Sequence, residues 1–320
     1  MRWVAKAMFQ KGMSVVPRAE RVNYLLQRHV ARTLPTPEAR LRRKFRRAVQ
    51  HLEAYEQYGP DRALSIATFY EVGAGWDLAI PLSFWALGVE RQVLVDVRPN
   101  VRLPLVDVSI ERLSRLGPEL GREVGRSLRA PESEDVQSVA DLQARFGIAY
   151  IAPCDARRTS LDSGSVDFIS STVTLEHVPA EDLVPLLREC RRLLKADGVL
   201  SALIDLTDHF SHSDNSIGPY NFLRYSDGVW RLVNSSLQHQ NRLRRPDYQA
   251  AFEDAGFAVL WEKSLTPKGR QLEVLRALER AERFRAYSLG ELAVQRIRVV
   301  ARPREKGLPD ALEEAEDVAG

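Results

Sequence analysis

Seven short apolar runs alternate with stretches of helical periodicity along most of this chain, and that alternation limits the fold more than any other feature. The runs are Thr68 to Val72, Gln92 to Asp96, Ala149 to Ala152, Val166 to Ser170, Val199 to Asp205, Ala258 to Glu262 and Val294 to Ala301. Strands separated by helices pair side by side, because each crossover helix returns the chain to the same edge of the sheet. The expected class is therefore α/β, a doubly wound and mainly parallel seven-stranded sheet covered on both faces. Leu183, Leu186, Leu187, Cys190, Leu193 and Leu194 recur at helical spacing with Gly198 beyond them as a stop, and Pro185 is expected in the first turn. Ser138, Asp141 and Gly147 mark a capped helix just before the third strand.

Three hundred and twenty residues with 44% hydrophobic content are enough for a substantial core. The longest uncharged stretch, Leu78 to Val89, has 12 residues, short of the roughly 20 that a membrane-spanning helix needs. Lys6 and Lys11 interrupt the first apolar residues and no cleavage pattern follows, so export as a secreted protein is not expected. Two cysteines, Cys154 and Cys190, make no disulfide framework and fit a cytoplasmic location. Charge is uneven: residues 1–50 hold 13 Lys/Arg and 2 Asp/Glu, against 33 and 41 in the remainder. Residues 1–60 thus read as a basic helical extension. Within residues 1–30, Trp3, Val4, Ala7 and Met8 at helical spacing suit either peripheral contact with a membrane or packing on the main domain. The main domain is expected over 61–303, with insertions at 99–147, read as polar and exposed, and at 207–245; the acidic tail over 304–320 is expected to be frayed.

"FYEVGAGWDLAIPLSFWALG", Phe69 to Gly88, is the stretch that carries chemistry. A buried strand runs into Gly73 and Gly75, which allow a tight turn and close ligand approach, and then into a helix whose first N–H groups are unpaired. Asp96 ends the second strand, 23 residues after Gly73, where an acid accepts ribose hydroxyls. Asp155 ends the third strand at the same edge. A dinucleotide fingerprint would place glycine or alanine at position 78, which is Leu78. Glu71 beside the turn would also repel a pyrophosphate. An acid there suits a cationic ligand instead.

These residues resemble the class I S-adenosylmethionine-dependent methyltransferases, particularly their small-molecule branch, over about Leu64 to Pro303. "EVGAG" looks like the family's acid-x-Gly-x-Gly turn, "CDA" at Cys154 to Ala156 like its adenine-side acid, and "SVDFISSTVTLEHV" with "ECRRLLKADGVL" like its fourth strand, following loop and next helix. The resemblance implies S-adenosyl-L-methionine as cofactor, with Glu71, Gly73, Gly75, Asp96, Asp155 and Ala156 as its binding residues. It also implies an antiparallel final strand, met by "AGFAVLWEK" and "ELAVQRIRVVARP". Asp77 stands where the family turn has its third glycine.

A sulfonium makes its methyl group electrophilic, so the protein's main task is to align nucleophile, methyl carbon and sulfur. A hydroxyl acceptor also needs a base. His209 and His212 in "LTDHFSHSD", and His177 beside Glu176, are the candidates; the first two are also readable as surface loop residues and the third as part of a structural hydrogen bond. The spacing of Asp208, His209, His212 and Asp214 matches no strong ligand pattern, so no metal is expected. Asn221, Arg224, Tyr225, Asn241 and Arg242 suit a saccharide-like or anionic substrate, or equally a lid held by internal bonds. The expected activity is methyl transfer to a hydroxyl of a small molecule or glycan-like acceptor. The alternatives are a nucleic-acid methyltransferase anchored by the basic arm and a non-catalytic module that binds the cofactor to hold a partner.

Overall fold

The computed structural model describes residues 2–14, 24, 27–28, 34–132, 134–236 and 239–304. The acidic tail beyond 304 and most of residues 15–33 lie outside them. All seven anticipated strands form: β1 (Thr68–Val72), β2 (Arg91–Val95), β3 (Ile148–Ile151), β4 (Val166–Thr172), β5 (Leu194–Asp205), β6 (Phe257–Leu265) and β7 (Arg296–Pro303). They make one sheet in the order β3-β2-β1-β4-β5-β7-β6. Strands β1 to β5 are parallel, and β7 runs antiparallel between β5 and β6. Strand order reverses between β1 and β4, the place where an open α/β sheet opens a crevice for ligands.

Ten α-helices are described: α1 (Arg2–Ser14), α2 (Glu38–Tyr58), α3 (Ala79–Ala86), α4 (Leu103–Val124), α5 (Val139–Phe146), α6 (Ala180–Leu193), α7 (Asp227–Val233), α8 (Arg245–Asp254), α9 (Arg270–Arg276) and α10 (Leu289–Ala293). Alternation along the strands sorts side chains between two cores. Phe69, Phe168 and Val199 join α2 to α5 on one face, and Tyr70, Ile169 and Leu200 join α6 and α8 on the other. The cap on α5 forms as expected: Ser138 Oγ accepts from the Asp141 amide, Asp141 accepts from the Ser138 amide, and Gly147 closes the helix at φ 63°.

Two expectations need correction, and one alternative is resolved. Pro185 is the sixth residue of α6, in its second turn rather than its first. The stretch 99–147 is not an exposed loop throughout, because Leu105, Val106, Ile110, Leu113, Leu116 and Leu120 give α4 a buried stripe; its high content of charged residues occupies the outer face. Of the two readings of the basic extension, packing on the main domain is the one its described residues make. Leu41, Phe45, Ala48, Leu52 and Tyr55 of α2 lie in the main core, and buried His51 hydrogen-bonds Ser201 on β5 (2.8 Å) and Thr172 on β4 (3.1 Å). In α1, Trp3 and Ala7 are buried in a third apolar cluster with Phe210, Phe222 and Trp230 from the second insertion. The apolar residues that suggested a membrane contact are largely spent on this packing, although Met8 remains exposed.

Candidate functional site

At the carboxyl end of β1 the chain turns through Gly73 and Gly75, at φ 82° and 75°, and Leu78 enters α3 at φ 48°. A side chain on Gly73 would strike Thr174 just beyond β4, with Cγ2 at 2.9 Å from the added carbon, whereas the space over Gly75 is open. The turn is held from below by Asp77. Its buried carboxylate takes Lys44 Nζ at 2.7 and 2.9 Å, the Thr36 hydroxyl and the Ala79 amide at 3.2 Å. Burial pushes Asp77 up, but Lys44 outweighs it and keeps the group below the usual carboxylate range. Asp77 in the third-glycine position thus ties the turn to α2, a role that no local sequence signal announces.

Two buried acids lie beside the turn. Glu71 is buried, and its Oε2 has no hydrogen-bond partner. Burial and the neighbouring Asp96 charge push its pKa well up. Burial also raises Asp96, to about 7, against one hydrogen bond of 3.1 Å from the Tyr150 hydroxyl. Tyr150, which sequence reasoning missed, sits on β3 with its hydroxyl also reached by the Asn100 amide at 3.0 Å. Asp155 differs. Its backbone neighbour is at the same edge, the Cys154 amide donating to Asp96 O at 2.8 Å, yet its carboxylate is exposed and gripped by Arg157 at 2.7 Å. Hydrogen bonds from Arg157 hold Asp155 low. Ala156 is half-buried against the α6 core. The structure therefore brings Glu71 and Asp96 together and leaves the Asp155 carboxylate outside that pair.

Beyond β4 and β5 a second constellation forms. A 3₁₀ turn at Leu175–His177 carries Glu176 and His177, and another at His209–His212 carries the other two histidines. The rings of His177 and His209 lie 4.9 Å apart, and those of His209 and His212 stack at 5.2 Å. Glu176 Oε1 accepts from the Asp205 amide at 3.2 Å, while its Oε2 is buried and unpartnered. Burial raises Glu176 to about 8 and lowers His209 to about 3, with His177 adding repulsion to the latter. Exposed His212 places Nε2 3.2 Å from Thr207 Oγ1, which itself donates to Asp205 Oδ1 at 2.6 Å. Because the Thr207 proton goes to Asp205, His212 Nε2 is the donor in that contact and its lone pair lies on Nδ1. Asp205 and Thr207 were missed because nothing distinguishes them in sequence from other strand-end polar residues.

The five candidate substrate residues fare unequally, and most make the internal bonds that the lid alternative requires. Asn241 is consumed within the chain, donating to Leu175 O (3.0 Å) and Val178 O (2.9 Å) and accepting from Tyr248 (3.1 Å). Arg242 donates to Phe222 O, Tyr225 O and Asp227, and Asn221 donates to Asp208 at 3.0 Å. Tyr225 rests against Trp3 at 5.4 Å, and Arg224 is exposed. Asn and Arg in this insertion chiefly satisfy buried backbone, the duty that any buried loop imposes.

A family model described as a methyltransferase domain matches residues 127–202, the stretch holding β3, Asp155, β4, the Glu176–His177 pair and α6. The strand order and the antiparallel β7 agree with that match. The matched domain and the sheet order support a class I S-adenosylmethionine-dependent methyltransferase. No curated protein matches the methyltransferase in sequence. Among solved structures, it is similar to geranyl diphosphate C-methyltransferase from Streptomyces coelicolor A3(2), at 17% identity and TM-score 0.45 over 80% of this chain and 76% of that one. It is also similar to the YcgJ protein of Bacillus subtilis, at 15% identity and TM-score 0.44 over 81% and 99%. The residues present fit the cofactor: an orphaned buried carboxylate oxygen on Glu71 and open space over Gly75 suit a cationic, ribose-bearing ligand. Among the described residues no helix is long and apolar enough to cross a membrane.

Proposed function

We propose that this methyltransferase acts on a hydroxyl of a small molecule, with Glu71, Gly73, Gly75 and Asp96 holding S-adenosylmethionine and His212 receiving the acceptor's proton. The observation that carries this reading is the adjacency of the two constellations. Gly73 packs on Thr174, two residues before Glu176, so Glu71 with its orphaned oxygen and the histidine cluster share one sheet edge. When bound, the cofactor supplies a sulfonium whose methyl carbon is open to in-line attack. Glu71 meets the cationic end of that ligand, and Asp96 accepts from its ribose. Bound cofactor would supply its methyl group to the acceptor oxygen and keep the bonding pair on sulfur, and His212 Nδ1 would take the hydroxyl proton. Asp205 and Thr207 orient that imidazole through its other nitrogen.

A saccharide acceptor loses support because Asn221, Asn241 and Arg242 are bonded internally. The nucleic-acid reading weakens for a similar reason, since Lys44 of the basic extension is paired with Asp77, and Arg42 with Glu119. The test has two arms. S-adenosylhomocysteine binding is measured by calorimetry, and metabolite extracts are incubated with enzyme and isotopically labelled donor for mass spectrometry. His212→Ala is expected to lower turnover about a hundredfold or more at unchanged cofactor affinity. Turnover that survives in this variant rejects His212 as the base.

A further inference from the structure

Glu176, His177 and His209 each present one ligand-type atom, and these atoms all lie within 4.8 Å of one another. Three separate observations mark the cluster as a built site rather than a chance grouping. Glu176 is only 1% exposed and its Oε1 is fixed by the Asp205 amide, leaving Oε2 without a partner. His209, 8% exposed, likewise has an unpartnered buried Nε2. His177 is oriented from behind: its Nδ1 lies 2.5 Å from the His239 carbonyl, which can only accept, so Nδ1 carries the hydrogen and the Nε2 lone pair is free. A backbone carbonyl behind one ring nitrogen is the usual support for a metal-ligating histidine.

We propose that Glu176 Oε2, His177 Nε2 and His209 Nε2 bind a divalent first-row transition ion of the zinc or cobalt class, leaving coordination positions open toward the acceptor. Two imidazoles with one carboxylate suit such ions and not calcium or magnesium, which prefer oxygen. A group with three protein ligands is the form taken by catalytic rather than closed structural sites. The positive side chains facing the cluster do not replace the ion. Arg296 is paired with Asp205 at 3.3 Å, and no ion pair to Glu176 occurs among the described residues; Arg47 acts on it only as a more distant charge. An ion here would hold the acceptor oxygen beside His212, a consequence that rests on the hydroxyl reading above; the binding itself does not.

The experiment uses the full untagged chain, stripped with a chelator and titrated with Co²⁺ by visible absorption and with Zn²⁺ by calorimetry. One ion per chain is expected, with the absorption of a nitrogen- and oxygen-ligated Co²⁺. Glu176→Gln keeps the side chain's size and its bond to the Asp205 amide, and it should weaken Co²⁺ binding about tenfold or more. His209→Asn should do the same, and it decides the matter if the first variant does not fold by circular dichroism. His212→Ala should retain one ion per chain, because its Nε2 is committed to Thr207. No uptake by the wild type, or equal uptake by the wild type and both ligand variants, overturns the proposal. S-adenosylhomocysteine binding by the stripped chain is measured in parallel. Retained binding without metal uptake sinks the ion alone, whereas lost binding sinks the cofactor site.

Discussion

The rim above Gly73 and the insertion over 207–245 both bury charged and amide side chains, but they differ in what those side chains touch. Arg244 is fully buried, and its guanidinium donates to the carbonyls of Leu206 (2.7 Å), Leu292 (3.0 Å) and Val294 (2.5 Å). Glu71, also buried, leaves Oε2 with nothing. Folding cannot gain from the second arrangement, since an unmatched buried polar group costs the full loss of its hydration. A satisfied buried group holds the fold, whereas an unsatisfied one marks where a ligand completes it.

The sharpest way to break that contrast is to exchange the expected consequences. Arg244→Ala leaves three carbonyls without their donor and should cost about 3 kcal/mol of stability or more, read by chemical denaturation, while the folded fraction binds S-adenosylhomocysteine normally. Glu71→Gln and Asp96→Ala should do the reverse: stability stays level or rises, and affinity for S-adenosylhomocysteine falls about tenfold or more for each, read by calorimetry. If Arg244→Ala weakens binding in the folded protein while Glu71→Gln leaves it intact, the contrast is false.

A pH series sharpens it next. Asp96 titrates near 7 in the ligand-free fold, against 3.8 for a free side chain. A raised acid means that the folded state binds more protons than the unfolded one across that window. Stability of the ligand-free chain should therefore fall as pH rises from about 4 to about 7, and Asp96→Asn should flatten part of that fall in thermal melts. Cofactor affinity should move the opposite way, since ribose hydroxyls donate to the ionised carboxylate.

The smallest expected effect concerns α1, whose Trp3 amide donates to Asp214 at 2.8 Å and whose ring lies 5.5 Å from Phe210 in the His209–His212 turn. Trp3→Ala should loosen that turn and lower turnover several-fold at unchanged S-adenosylhomocysteine affinity. Lost affinity would mean that α1 supports the glycine turn instead.

Much of this was legible in advance, for identifiable reasons. Strand positions are readable because a strand buried on both faces needs a continuous apolar run, and Gly73 and Gly75 because few other residues take φ near 80°. The α4 stripe was equally present in the sequence but overlooked, since its apolar spacing is diluted by charges on the outer face. Asn241 and Arg242 stayed open between substrate and lid because residue type says nothing of whether an oxygen or nitrogen is already bonded. Lys44 and Tyr150 went unnoticed because their partners are distant in sequence.

The sequence by itself determined the alternation, the parallel sheet and the glycine turn at its edge, all of which follow from backbone preference and apolar spacing over a few residues. Tertiary structure alone decided which polar atoms find partners. It brought Glu176 and His177 from β4's loop against His209 from β5's, and it turned a basic N-terminal stretch into part of the core. Such pairings depend on which strands lie side by side, and adjacency in a sheet is a property of the whole chain rather than of any segment of it.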